Sequence, residues 1–256
     1  AMNTKLMADL PNDDEIRFDL GKCHYNLGYL LLRQGAVEKA IASLQQAEQL
    51  NRVLVDRFPD VPRYRHLQAS YVRKLGDALQ AAGRPGAEDA HAEALAMTEK
   101  LAKEYPDNAL YLLELAQCLN TAGATLAGTA PDKSEAAYLR ALDTLNSEKV
   151  AAWSLERLRE KAYVLSNLGD LRRSAGKPDA EKPVLESIRI VEELVKREPP
   201  ARDDLQFLSQ AQENLAEIYA ANGRDAESLA LFDQSIGREE DLLKGSPESI
   251  DDHDLL

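Results

Sequence analysis

Residues 26–35 read "NLGYLLLRQG", an apolar helical stretch with one glycine inside it and another at its end. Glycine in a helix interior costs about 0.5–1 kcal/mol relative to alanine, so Gly28 calls for a reason in packing. The stretch recurs. "KLGDALQAAG" carries Gly76 and Gly83, "NTAGATLAGTA" carries Gly123, "NLGDLRRSAG" carries Gly169 and Gly176, and "NLAEIYAANG" carries Ala216 and Gly223. The first members lie 48, 47, 46 and 47 residues apart, and a second marker keeps the same step through Pro11, Pro59, Pro106, Pro199 and Pro247, with a gap near 153. Two independent markers in phase define an internal repeat, and a period of this length specifies stacked supersecondary units.

Each unit reads as two helices. Ahead of the first glycine, apolar residues fall three and four apart, as in Leu20, His24, Leu27 and Leu31, in Val72, Leu75 and Leu79, and in Leu165 and Leu168. This is helix A, which the second glycine closes by adopting the left-handed conformation just past the C-cap. "AVEKAIASLQQAEQLNRVLVDRF", "SEAAYLRALDTL" and "AESLALFDQSIGREEDLL" follow as helices B, and "FPDVPRYR", "YPDNALY" and "EPPARDD" break them. The pattern predicts one all-α array over residues 1–256, with repeats at about 12–58, 59–105, 106–146, 147–198 and 199–246. In "NSEKVAAWSLERLREKAYVLSNLG" neither proline nor glycine precedes Gly169, so the fourth helix A is expected to start near Ser147 and run long, after a short helix B over Pro131 to Leu145. Residues 1–11 read as the remnant of a preceding helix and 247–256 as the start of a further one, as in a piece of a longer chain.

The composition narrows the function. Of the 256 residues, 44% are hydrophobic, and 31 basic against 44 acidic residues give a net charge of −13. That field repels nucleic acid and anionic membrane surfaces, and no apolar run spans a bilayer, nor is the N-terminus a signal peptide. Cys23 and Cys118 each lie five residues before a first glycine, where Tyr71, Val164 and Ala211 stand in the other units. Both are therefore expected to be buried as small apolar residues, and with no disulfide framework the chain points to a reducing, cytoplasmic compartment. His24 and His91 fall at packing positions, whereas His66 and His253 stand on polar segments, and none has zinc-ligand spacing. "GDLRRSAGKP" lacks the glycine spacing and the hydroxyl residue of a phosphate loop, and kinase catalytic motifs are absent. The expectation is no catalytic residue, no cofactor and no metal.

The pattern of a bulky residue, Leu-Gly, a large apolar residue and then an Ala-rich second helix resembles the tetratricopeptide repeat. It is carried by His24, Leu27, Gly28, Leu31, Ala40, Leu44 and Ala47, and by Tyr138, Ala141 and Leu142. The period exceeds the family's usual one. "NLGxLL", "GRP" and "FPDVPRYR" are similar to long-period arrays beside serine/threonine protein kinase domains in some bacteria. The resemblance implies a right-handed superhelical solenoid whose A helices line a concave surface that binds peptides or proteins. On that surface it places Lys22, Tyr25, Asn26 and Tyr29, then Arg73, Lys74 and Asp77, Asn120 in the third unit, and Tyr163, Asn167 and Asp170 in the fourth. No three consecutive units reproduce the family's lysine, asparagine and arginine clamp for a terminal carboxylate, so a different ligand is implied.

Tyr25, Tyr29 and Leu32 form a second stripe beside Leu20, Leu27 and Leu31. It reads either as an aromatic groove patch or as a surface packed against a preceding repeat. Trp153, the sole tryptophan, reads as core or junction packing. The function expected is a non-catalytic scaffold binding a protein or peptide partner, with tyrosine anchors and with Arg73, Lys74 and Arg173 facing acidic groups. Two alternatives stand beside it, a structural self-association module and a regulatory or substrate-recruiting region of a larger signalling enzyme such as a bacterial serine/threonine kinase.

Overall fold

The closing glycines set the helix ends. In the computed structural model, which describes residues 13–147, 154–197 and 199–244, Gly35, Gly83, Gly176 and Gly223 have φ between +61° and +73°. At each one the same two hydrogen bonds form. The Gly35 N–H donates to the Leu32 carbonyl and the Ala36 N–H to the Leu31 carbonyl, and the pair repeats at residues 83 and 84, 176 and 177, and 223 and 224. These bonds satisfy carbonyls left open at the helix end and turn the chain back on itself. The third unit differs, since Gly128 is not left-handed and the N–H groups of Thr129 and Ala130 both donate to the Leu126 carbonyl.

Ten helices result among the described residues: α1 Asp14–Arg33, α2 Val37–Arg57, α3 Pro62–Ala81, α4 Ala87–Glu104, α5 Ala109–Leu126, α6 Pro131–Asn146, α7 Leu155–Ser174, α8 Glu181–Val195, α9 Arg202–Ala221 and α10 Asp225–Lys244. Odd-numbered helices are the A helices and even-numbered ones the B helices. Side-chain oxygens cap several N-termini: Asp13 accepts from the N–H groups of Glu15 and Ile16, and Asn108 from those of Leu110 and Tyr111. Pro62 and Pro131 open α3 and α6, where a missing N–H costs nothing. The fourth helix A departs from expectation. It begins at Leu155 with Ser154 as its cap, the Ser154 hydroxyl accepting from the Arg157 N–H at 3.2 Å, so at 20 residues it equals α1, α3 and α9 in length. Trp153, His253 and both chain ends lie outside the described residues.

Gly28 lets two helices approach within a hairpin. A methyl group there would lie 2.6 Å from Leu44 Cγ, 2.9 Å from Leu44 Cδ2 and 3.3 Å from the Ala40 carbonyl oxygen. Gly76 holds the same place against His91 and the Ala87 carbonyl, and Gly169 against Val184 and the Ala180 carbonyl. In the fifth unit Ala216 stands there, fully buried. The core is thus built from helix B residues pressed onto the glycine face of helix A.

The chain divides into two compact units, residues 1–125 with 144–150 and residues 126–143 with 151–256. In the first, α1 packs on α2, α3 on α4, and α2 on α3. Ile41 and Leu44 of α2 meet Leu75 and Ala78 of α3. A buried polar ladder fixes the register of this junction: Asn51 Nδ2 donates to the Tyr64 carbonyl at 2.9 Å and to Gln68 Oε1 at 2.8 Å, and Gln68 Nε2 donates to Glu48 Oε1 at 2.7 Å. In the second, Val184, Ile188 and Val191 of α8 pack with Leu208, Ala211, Leu215 and Ile218 of α9. Recurrent ion pairs reinforce these junctions, with Glu135 meeting Arg172 and Lys177, and Glu181 meeting Arg224.

Two expected core residues are not buried. Leu27 and Cys23 are exposed, whereas their counterparts Leu168, Leu215, Tyr71 and Cys118 are buried. Those counterparts lie on the face that an A helix turns toward the preceding B helix, and among the described residues no helix precedes α1.

Candidate partner-binding surface

The seam between α1 and α3 carries a ladder of aromatic rings and cations. Phe18 lies 5.8 Å from the Tyr64 ring, with the Arg63 guanidinium 4.1 Å above Phe18 and Lys22 Nζ at 5.3 Å. Further along α1, Tyr25 stacks on Tyr71 with ring centres 4.8 Å apart, and burial raises the hydroxyl pKa of both. Past that pair, Tyr29 stands exposed with Arg33 at 6.0 Å and Lys74 at 5.9 Å. Lys22, Asn26 and Tyr29, spaced by four and three residues, form an exposed stripe along α1. A tyrosine ring flanked by cations offers a large, rigid contact area at small entropic cost.

The expected residues therefore divide. Lys22, Asn26 and Tyr29 face solvent, and Tyr29 is brought against Lys74. Tyr25 belongs to the α1–α3 packing, and Leu32 packs against the cluster of Ile41, Leu44 and Ala78. Arg73 is not available to a ligand's acidic group: it donates through Nε to Glu114 Oε1 at 2.9 Å and through Nη2 to Gln117 Oε1 at 2.8 Å. The Ser70 hydroxyl donates to Glu114 Oε2 at 2.7 Å. Burial opposes the charge on Glu114, but Arg73 and the surrounding donors outweigh it and hold the carboxyl down at about 2. Lys74 donates to Asp77 Oδ2 at 2.7 Å, and His91 Nε2 lies 3.1 Å from Asp77 Oδ1. Burial of Asp77 is likewise overcome, first by His91 and then by Lys74 and Arg73, so its carboxyl stays well below the usual range. Asn120 is half-buried on α5.

In the second unit Tyr163 packs on Phe207 at 4.1 Å, and Asn167 is half-buried. Arg173 is held by Asp170 and by Glu217, the latter at 2.9 Å. Its charge is matched within the protein, as is that of Arg159, which grips Asp204 with two bonds of 2.6 and 2.7 Å. Asn214 Nδ2 donates to the Ser166 hydroxyl at 2.9 Å.

Sequence reasoning misses Phe18, Arg63 and Tyr64. Phe18 precedes Lys22 by one helical turn, a spacing that could flag it, but Arg63 and Tyr64 lie in "FPDVPRYR", which reads first as a helix breaker. His66 also differs from expectation. It is buried, 3.6 Å from Glu114 and against the Tyr111 ring at 5.2 Å. Cys118 is buried as expected, and burial pushes its thiol up to about 12. Among the described residues no group of three or more His, Cys, Asp and Glu is placed to hold a metal ion, and no helix is long and apolar enough to cross a membrane.

These features define an all-α array of stacked helical hairpins, with a solvent-facing aromatic and cationic stripe on its first A helix. Residues 21–53, which run from the middle of α1 through most of α2, match the tetratricopeptide repeat family. The fold is similar to that of BtubC (BKLC) from P. vanneervenii, with a TM-score of 0.63 over 100% of this chain and 92% of that one at 21% identity. It is also similar to that of the apo form of RapI, with a TM-score of 0.52 over 95% of this chain and 91% of that one at 11% identity. No curated protein matches the chain in sequence.

Proposed function

We propose that the chain is a tetratricopeptide array throughout and serves as a non-catalytic scaffold, binding a protein or peptide partner along the inner, A-helix face. The observation that carries this is Tyr29, an exposed ring set between Arg33 and Lys74 on a helix whose other tyrosine is already stacked. Arg73 and Arg173 are neutralised by the protein's own carboxylates, so the contact is led by Tyr29, Asn26 and Lys22, with Phe18 and Arg63 extending it. The occupant that fits is a peptide segment offering an apolar or aromatic side chain to the Tyr29 ring and a carboxylate to Lys22 and Arg63, which stand at the Phe18 ring.

Peptides selected on the purified chain provide the test. Tyr29→Ala is expected to weaken a selected peptide at least about tenfold, roughly 1.4 kcal/mol, at unchanged thermal stability. Unchanged affinity would remove Tyr29 from the site. A narrower reading, that the array regulates or recruits substrate for a bacterial serine/threonine kinase, is supported by the period of about 47 residues. Catalytic-loop and metal-binding motifs in the flanking reading frame would support it, and an unrelated domain there would overturn it.

A further inference from the structure

The turns between helices A and B carry a recurring polar stitch from one unit to the next. Glu135 and Glu181 each stand twelve residues past the first glycine of their unit. Each is met by two donors of the following unit, three and eight residues past its own Gly169 or Ala216: Arg172 and Lys177 reach Glu135, and Tyr219 and Arg224 reach Glu181. Arg84, eight residues past Gly76, likewise reaches Glu38 of the first unit at 3.1 Å. Glu88 holds the same place in the second unit as Glu135 and Glu181 in theirs. The third unit, however, has Leu126 and Pro131 three and eight residues past Gly123, and neither side chain can donate. Among the described residues the side chains of Glu88 and its neighbour Asp89 meet no cation and no hydrogen-bond donor.

A cleft of about 520 Å³ opens at these two carboxylates. Glu88 and Asp89, both exposed in the first turn of α4, line it together with Gln80 near the end of α3, Arg84 of the turn, His91 and Thr125. His91 is 4% exposed, and its Nε2 lies 3.1 Å from Asp77 Oδ1. A carboxylate accepts, so the neutral ring carries its proton on Nε2, and Nδ1 is left as an acceptor with no hydrogen-bond partner among the described residues. The Thr125 hydroxyl donates to the Thr121 carbonyl at 3.0 Å and keeps its lone pairs as acceptors. Arg84 is engaged by Glu38. The positive end of α4 offsets about half a unit charge, against two full carboxylates, so the cleft is negative and rich in acceptors.

We propose that this cleft binds the guanidinium of an arginine presented by a partner protein, which takes the part that Lys177 and Arg224 play at the other turns. A planar fork of N–H donors matches two carboxylates beside a ring nitrogen better than a single ammonium does. The site shares no residue with the Tyr29 stripe, so either can fail without the other.

The test titrates the 256-residue chain with a capped pentapeptide, arginine flanked by two alanines on each side, and follows the ring signals of its four histidines and the backbone amides by NMR. Saturable shifts of the His91 ring and of the Thr125 amide are expected. The same peptide with citrulline in place of arginine, alike in shape but uncharged, is expected to leave both signals unmoved. The double variant Glu88→Gln, Asp89→Asn is expected to bind the arginine peptide at least about tenfold more weakly at an unchanged melting temperature, since both side chains are exposed and unpaired. Tyr29→Ala is expected to leave the titration as in the wild type. An arginine peptide that moves neither signal, a citrulline peptide that binds equally well, or a folded double variant with wild-type affinity would overturn the proposal. Should the double variant fail to fold, the comparison of arginine with citrulline on the wild type decides it.

Discussion

Gly28 and Gly237 are both helical glycines, yet they answer to different forces. A methyl group at Gly28 meets Leu44 at 2.6 Å and the Ala40 carbonyl at 3.3 Å, whereas one at Gly237 meets nothing within 4 Å. Overpacking costs about 1–3 kcal/mol, more than the roughly 0.5–1 kcal/mol of helix propensity that alanine restores. Gly28→Ala should therefore lower stability in chemical denaturation and Gly237→Ala should raise it. Glu114 gives a pH signature at the same scale. Its carboxyl titrates at about 2 in the folded chain, below the ordinary 4.5, so its pairing with Arg73 adds stability that is complete above about pH 4.5 and is lost as the pH falls toward 2. The linked free energy is on the order of 3 kcal/mol. Glu114→Gln should destabilise the fold at pH 7 by about 3–5 kcal/mol, since it strands a buried guanidinium, and should flatten the stability profile between pH 4.5 and 2.

At the scale of the helices, the recurring glycines make most of the architecture legible in the sequence. "NLGYLLLRQG" locates both the close approach at Gly28 and the left-handed turn at Gly35, because each constraint admits little besides glycine. The start of the fourth A helix is not legible in the same way. The absence of proline and glycine there reads as continuity, whereas Ser154 starts the helix by capping it. A serine cap is a weak signal in a stretch that also offers Ser147. The closing turn can be tested directly. Gly176 has φ of +65° and no neighbour that a methyl group would touch, so Gly176→Ala should cost about 1–2 kcal/mol from backbone conformation alone. Gly128→Ala, at a turn without positive φ and with equally open space, should cost nothing measurable.

At the scale of the whole molecule, the repeat register can be read from sequence, but the partnering of charges cannot. The spacing places Arg73 and Arg173 on A-helix faces, yet each is consumed by a carboxylate from the next A helix, Glu114 at an offset of 41 residues and Glu217 at 44. Such pairs depend on how one repeat leans on the next, and the period alone does not encode that. Leu27 and Cys23 read as core for a related reason, since burial at their positions is supplied by a neighbouring repeat and not by the helix itself. What survives as an exposed surface is narrower than the sequence implies, with Lys22, Asn26 and Tyr29 on α1 beside Lys74 of α3, itself paired to Asp77. The proposed partner docks there. The most direct measurement is photo-cross-linking of a selected peptide to the intact chain, with the adducts mapped by mass spectrometry. Adducts on Lys22, Asn26, Tyr29 and Lys74 are the result expected, and adducts confined to the B helices, with those four residues unlabelled, would contradict it.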